Sequence, residues 1–215
     1  MATYLQIVNA VLARLRESSV PTVSATPYSK LIGKFVNDAK MKVENAWNWD
    51  SMSQTLPLTT SAGVSTYTLV GSGLRPKGIS VNDTTNKYTL GNAPIKWILD
   101  QQQLTTVQNG LSSHYAWKGN TGGDSRVELF PTPNGAYVLK FNLYIPQATL
   151  SADATEVTVS GDLVELAAYA RALSERGEDG GTMSSDAYAV FTNLMADEIA
   201  LESSRFIETS VWVAV

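Results

Sequence analysis

The sequence predicts an α+β protein, a bundle of N- and C-terminal helices with an inserted antiparallel, barrel-like β-sheet region. Three observations predict it. Apolar residues recur at three- and four-residue spacing over the first fifty residues, alternate with a period of two from about residue 51, and return to helical spacing near residue 161. Strands gathered between two helical blocks point to an insertion and not to alternating βαβ units. The expected organisation is therefore a helical domain made of residues 1–50 and 161–207, an inserted β domain over 51–160, and a short tail at 208–215.

The first helix rests on Leu5, Val8, Leu12 and Leu15, with Ile7 and Val11 beside them, and Val20-Pro21 breaks it. The second carries the strongest signal. Thr26 suits the N-cap and Pro27 the first helical position, and Tyr28, Leu31, Ile32, Phe35, Val36, Ala39, Val43, Ala46 and Trp47 follow at helical spacing. Run from 27 to 49, it would be about 35 Å long at 1.5 Å per residue. A rod of that length calls for packing partners along its length, from this chain or from a neighbouring subunit.

In the β block Tyr67 and Leu69, Ile79 and Val81, and Val127 and Leu129 alternate with polar residues. Residues 137–145 form the clearest strand, with Tyr137, Leu139, Phe141, Leu143 and Ile145 on one face. Pro131-Thr132-Pro133-Asn134-Gly135 supplies the turn before it. Residues 100–108 read as a short helix capped by Asp100. After the sheet, Asp162 and Glu165 have capping-box spacing, Leu163, Leu166, Ala167, Ala170 and Leu173 make an apolar face, and Gly177 closes the helix. A last helix starts near Ser184 or Ser185, carries Tyr188, Phe191, Leu194, Met195 and Ile199, and ends near Phe206.

Composition removes most chemistry. A chain of 215 residues with 44% hydrophobic and 17% charged residues can build a real core. It has no cysteine, so thiolate catalysis, disulfides and cysteine-ligated metals are out. Its one histidine, His114, stands between Ser113 and Tyr115 on no nucleophile elbow, and reads as an exposed or half-buried strand residue. Gly71-Ser72-Gly73 lacks dinucleotide spacing, and the Gly119 to Ser125 loop lacks the Gly-Lys-Ser/Thr ending of a phosphate loop. Glu44 and Asp50 flank Trp47 and Trp49, which allows a sugar-cleaving acid pair to be imagined. The competing reading makes Glu44 a solvated helix residue and the tryptophans anchors. No cofactor or metal is expected, and the chain is read as having no enzymatic activity.

The net charge of −4, with no long basic run, leaves the chain without the footprint of a nucleic-acid binder. No apolar run approaches the ~20 residues of a membrane span, and no targeting segment is visible.

Two features point to partners. Trp47 and Trp49 close the long helix. Trp47 continues its apolar face and Trp49 points roughly to the far side, so one belongs to the core and the other could fill an intersubunit groove; a core role for both is the alternative. The C-terminus, with Val211, Trp212, Val213 and Val215, is apolar and β-prone where chain ends are usually polar. It could fold back on its own β region or add to a partner's exposed strand.

The stretch Asn37-Asp38-Ala39, then Val43-Glu44, then Ala46-Trp47 and Trp49 resembles a signature of phage head-to-tail connector adaptors, the group that includes the tail tubular protein A of T7-like podophages. Leu129-Phe130-Pro131-Thr132-Pro133 with Tyr137 to Pro146, and Leu166 to Gly181, are similar to the same family's β region and C-terminal helix turn. The resemblance implies a structural virion protein of the neck, made in the host cytoplasm. It implies a ring of about twelve copies, bound to the portal protein above and a tail nozzle or tail tube protein below. Double-stranded DNA would pass through without specific binding. In several relatives of that group the C-terminal segment docks on the portal. Val211 to Val215 match no motif of the family, and their position and apolarity extend the expectation of docking, on the portal or a neighbour, to them. A monomeric tail-associated receptor- or carbohydrate-binding module is the alternative reading.

Overall fold

The computed structural model describes residues 2–104, 106, 108–177 and 181–205. In chain order the elements are α1 (Tyr4–Arg14), α2 (Pro27–Ala46), a single 3-10 turn (Asp50–Met52), β1 (Ser53–Thr59), β2 (Thr66–Thr68), β3 (Lys77–Asp83), β4 (Tyr88–Asn92), α3 (Ile95–Leu104), β5 (Asn109–Gly110), β6 (His114–Thr121), β7 (Asp124–Phe130), β8 (Thr132–Pro133), β9 (Val138–Tyr144), α4 (Gly161–Arg176) and α5 (Thr182–Ser203). The fold is α+β. It divides into two compact units, one of Met1–Ser51 with Gln147–Val215 and one of Met52–Pro146.

In the helical unit α4 packs against α1, α2 and α5. Thr3 caps α1 in a reciprocal box with Gln6, and Thr26 caps α2 in the same way with Ser29. Ile7, Val8, Val11, Leu12, Ile32, Val36, Val43, Leu163, Val164 and Ala168 are buried between the helices. Gly33 lets α1 come close: a Cβ there would fall on the Tyr4 hydroxyl and 2.7 Å from Val23 Cγ1. Segment 147–160 lies in this unit, where Thr155 O accepts from Tyr4 N and Ala2 O accepts from Val157 N.

The second unit is a seven-stranded sheet in the order β1-β9-β3-β4-β6-β7-β2, antiparallel except for the parallel β4–β6 pair, with a small β5–β8 pair beside it. The outermost strands, β1 and β2, are consecutive in sequence and joined by residues 60–65. Seven flat strands at about 4.8 Å spacing would part them by roughly 29 Å. An extended link of that length reaches only about 25 Å. The sheet is accordingly curled into a half-barrel, with Leu69, Val81, Val127, Leu129, Leu139, Phe141 and Leu143 filling its interior.

Several boundaries differ from expectation, each for a local reason. Helix α2 stops at Ala46, not at residue 49, because Trp47 is extended (φ −147, ψ 171). Helix α3 starts at Ile95 instead of Asp100: Pro94 O accepts from Trp97 N and Ile98 N, and Asp100 pairs with Lys96 one turn back. Asp162 and Glu165 form no capping box. Ser160 is the N-cap of α4 and makes no side-chain cap bond, while Glu165 pairs with Arg14 of α1. Gly177 does close α4 in the left-handed region, at φ 63. Helix α5 starts at Thr182, two to three residues early, and Phe206 lies outside the described residues. In β3 a register shift between Gly78 and Ser80 turns Ile79 outward, so it does not share a face with buried Val81.

Candidate assembly surface

The motif at the end of α2 acts first within its own unit. The last four carbonyls of a helix have no intrahelical partner. The Trp49 indole N–H donates to one of them, Val43 O, at 2.7 Å, and the ring is buried at 6% exposure. Trp47, the residue at the helix end, is half-buried. Of the two, Trp47 is therefore the one with surface to offer, the reverse of what continuing the helical face to residue 47 suggests.

One turn earlier lies a buried polar latch that the sequence did not disclose. Lys40 and Glu44 are 3% and 2% exposed and form an ion pair at 3.1 Å. Lys40 Nζ also donates to Gln147 O at 2.6 Å, and Gln147 N–H donates to Glu44 Oε1 at 3.0 Å. Asn37 adds a second clasp, accepting from Leu150 N at 2.8 Å and donating to Leu150 O at 3.1 Å. Together they hold the chain against α2 as it returns from the β unit. Burial raises the Glu44 carboxyl above the ordinary glutamate value, and the Lys40 ammonium and the Gln147 N–H only partly offset it. Glu44 is thus neither solvated nor open to a substrate. The one signal that could have found it was the Lys40–Glu44 spacing of four on the face that carries Val36 and Val43.

His114 is half-buried in β6, with its ring 5.2 Å from that of Trp97 and Nδ1 2.9 Å from Ser113 Oγ. Among the described residues no group of three or more His, Asp or Glu side chains is placed to hold a metal ion. No described helix is long and apolar enough to cross a membrane.

The exposed features of the helical unit concentrate on α2 and α5. A groove of about 510 Å³ runs between α2, α4 and the start of α5. It is crossed by the Asp38–Arg171 ion pair at 3.1 Å and by Lys42, which bonds to Tyr188 Oη at 2.7 Å and lies over the Phe191 ring at 5.2 Å. Helix α5 is 22 residues long, yet buries only Phe191 and Met195. Met183, Val190 and Leu201 are 54%, 55% and 69% exposed. At 100° per residue these three lie within roughly 20° of one line. The signal for this stripe was present as Met183 and Val190 seven residues apart on a helix without Lys or Arg. Val211, Trp212, Val213 and Val215 lie outside the described residues.

The family model for the SU10 adaptor protein matches residues 2–210. A comparison with curated proteins finds no match.

Proposed function

The chain belongs to the SU10 adaptor protein family, a family of structural phage adaptors, and from that premise we propose that it forms a ring joining the portal to the tail nozzle and lining the DNA exit channel. The ring holds about twelve copies, as the likeness to the tail tubular protein A of T7-like podophages implies. The helical unit is its ring-forming domain, the β unit is an insertion, and residues 208–215 are a docking tail. Trp47 and Trp49 serve the neighbour contact, Trp47 directly and Trp49 by fixing the helix end. Val211, Trp212, Val213 and Val215 dock on the portal. The protein works in the virion neck, does no covalent chemistry and passes DNA without specific contacts.

The observation that carries this reading is α5, a long helix that buries two side chains and exposes a stripe of three large apolar ones. A helix with so little packing in its own chain calls for a partner along its length. Native mass spectrometry tests the proposal, on the protein alone and mixed with the portal protein of the same phage. The expected result is a jump of many subunits, at the latest on the portal. Deleting residues 210–215 should leave self-association intact and remove portal binding. A chain that stays monomeric beside its portal would overturn the ring and leave the receptor- or carbohydrate-binding module as the reading.

A further inference from the structure

We infer that the neighbour which covers α5 is the exposed face of α2 on a second copy of this chain, in a head-to-tail contact. This rests on the ring reading and names its interface.

The two faces are complementary in charge, and each carries exposed apolar surface. Between Thr182 and Ser203, α5 has four acids and no Lys or Arg. Glu198 and Glu202 are engaged inside the unit, by Ser160 and by Asp50 N and Arg205. Asp186 and Asp197 remain exposed, on the same side of the helix as Met183, Val190 and Leu201. On α2, Lys40 and Glu44 are paired inside, Asp38 pairs with Arg171, and Lys42 is held by Tyr188. Lys30 and Lys34 remain exposed and share an arc of roughly 40° with Met41, which is 56% exposed. One face thus offers two ammonium groups and a methionine, and the other offers two carboxylates and three apolar side chains.

Topology keeps the two faces apart. Helix α4 packs against both α2 and α5, and the exposed stripe lies off the buried face of its own helix, by roughly 100° on α5 and roughly 140° on α2. A contact that uses two different surfaces of one chain is heterologous, and such contacts close into rings when the rotation allows. A contact between two α5 faces, by contrast, would set carboxylate against carboxylate.

Charge reversal tests the inference on the full-length protein, with portal present if the wild type needs it. K30E/K34E makes both faces acidic, and D186K/D197K makes both basic. Each variant alone should lose assembly by about tenfold or more, the scale that like charges across an interface impose. A one-to-one mixture should recover it as an alternating ring, which a misfolded variant could not do. Crosslinking gives a second readout, because the chain has no native cysteine. A mixture of M41C and V190C chains should form a disulfide-linked heterodimer under mild oxidation. Two results overturn the interface but leave the ring standing: variants that assemble like wild type, or intact rings that give no crosslink. A mixture that fails to recover also counts against it. A wild type that assembles under neither condition overturns both the ring and the interface.

Discussion

Glu128 illustrates how one residue organises the β unit. Its carboxylate, on β7, is 1% exposed. It accepts hydrogen bonds from Ser65 Oγ at 2.6 Å, Gln102 Nε2 at 2.9 Å, Lys118 Nζ at 2.8 Å and the Thr66 hydroxyl. These donors come from the β1–β2 link, α3, β6 and β2, so one carboxylate ties four segments to the strand beneath them. Burial alone would raise its pKa, but bonds from Lys118, Ser65, Thr66 and Gln102 outweigh burial and hold it below the ordinary glutamate value. The unfolded chain then binds the proton more readily than the folded one. Glu128 therefore stabilises the fold above the usual glutamate range, about pH 4.3, and that stabilisation is lost as pH falls through the lowered value. Glu44, whose carboxyl is shifted up, acts in the opposite sense, so the two must be separated by mutation. Urea unfolding of wild type and E128Q from pH 7 to pH 3 should show the variant less stable at pH 7, with the gap narrowing on acidification. A gap that stays constant would mean that the carboxylate charge is not what holds these segments.

At the scale of the element, α2 does more than pack. Its buried Lys40–Glu44 pair and Asn37 fasten segment 147–150, which links the sheet to α4. Removing one partner of a buried ion pair leaves an uncompensated charge and costs about 3–5 kcal/mol, whereas removing the charge from both costs far less. K40M should thus lower the unfolding free energy in urea by about that amount. K40M/E44Q should recover much of the loss, since a neutral amide still accepts the Gln147 N–H. Equal losses in both variants would show that the latch works through shape and not through charge. The helix was legible in the sequence because Ile32, Phe35, Val36, Ala39 and Val43 keep a strict helical spacing, and β9 because Leu139, Phe141 and Leu143 alternate. The ends were not legible, since they are set by partners remote in sequence or by backbone turns that periodicity does not register. Trp49 reaches back to Val43, Glu165 turns to Arg14, and Pro94 opens α3. The latch was hidden for the same reason: Gln147 lies 107 residues from Lys40. Of the candidate site, Trp47 and Trp49 are legible in the sequence as a pair, while which of them is buried depends on the extended backbone at Trp47. The α5 stripe is less legible, since Met183 precedes the helix start that the sequence suggests and Val190 and Leu201 lie off the face marked by Phe191 and Met195.

For the whole molecule, topology and charge argue together. The β unit is entered through β1 and left through β9, which pair with each other from Ser53 with Tyr144 to Thr59 with Val138, and Ile145 N–H donates to Met52 O at 2.9 Å. Its two ends are thus side by side, the geometry that lets one folded unit sit inside another without disturbing either core. The chain as a whole carries a net charge of −4. Binding to a DNA backbone draws its strength from neutralised phosphates and released counterions, so the proposed ring, if its channel shares this net negative charge, should let a duplex slide. If the exposed lysines of α2 are spent against α5 of the next copy, assembly also removes cations that a free chain would present. The assembled protein should therefore give no mobility shift with linear double-stranded DNA at about 0.15 M salt, and no more than a weak one at lower salt. A shift that persists at 0.15 M and falls steeply with added salt would mean that assembly gathers the remaining lysines and arginines into a basic track, and would count against the proposed passage of DNA without specific contacts.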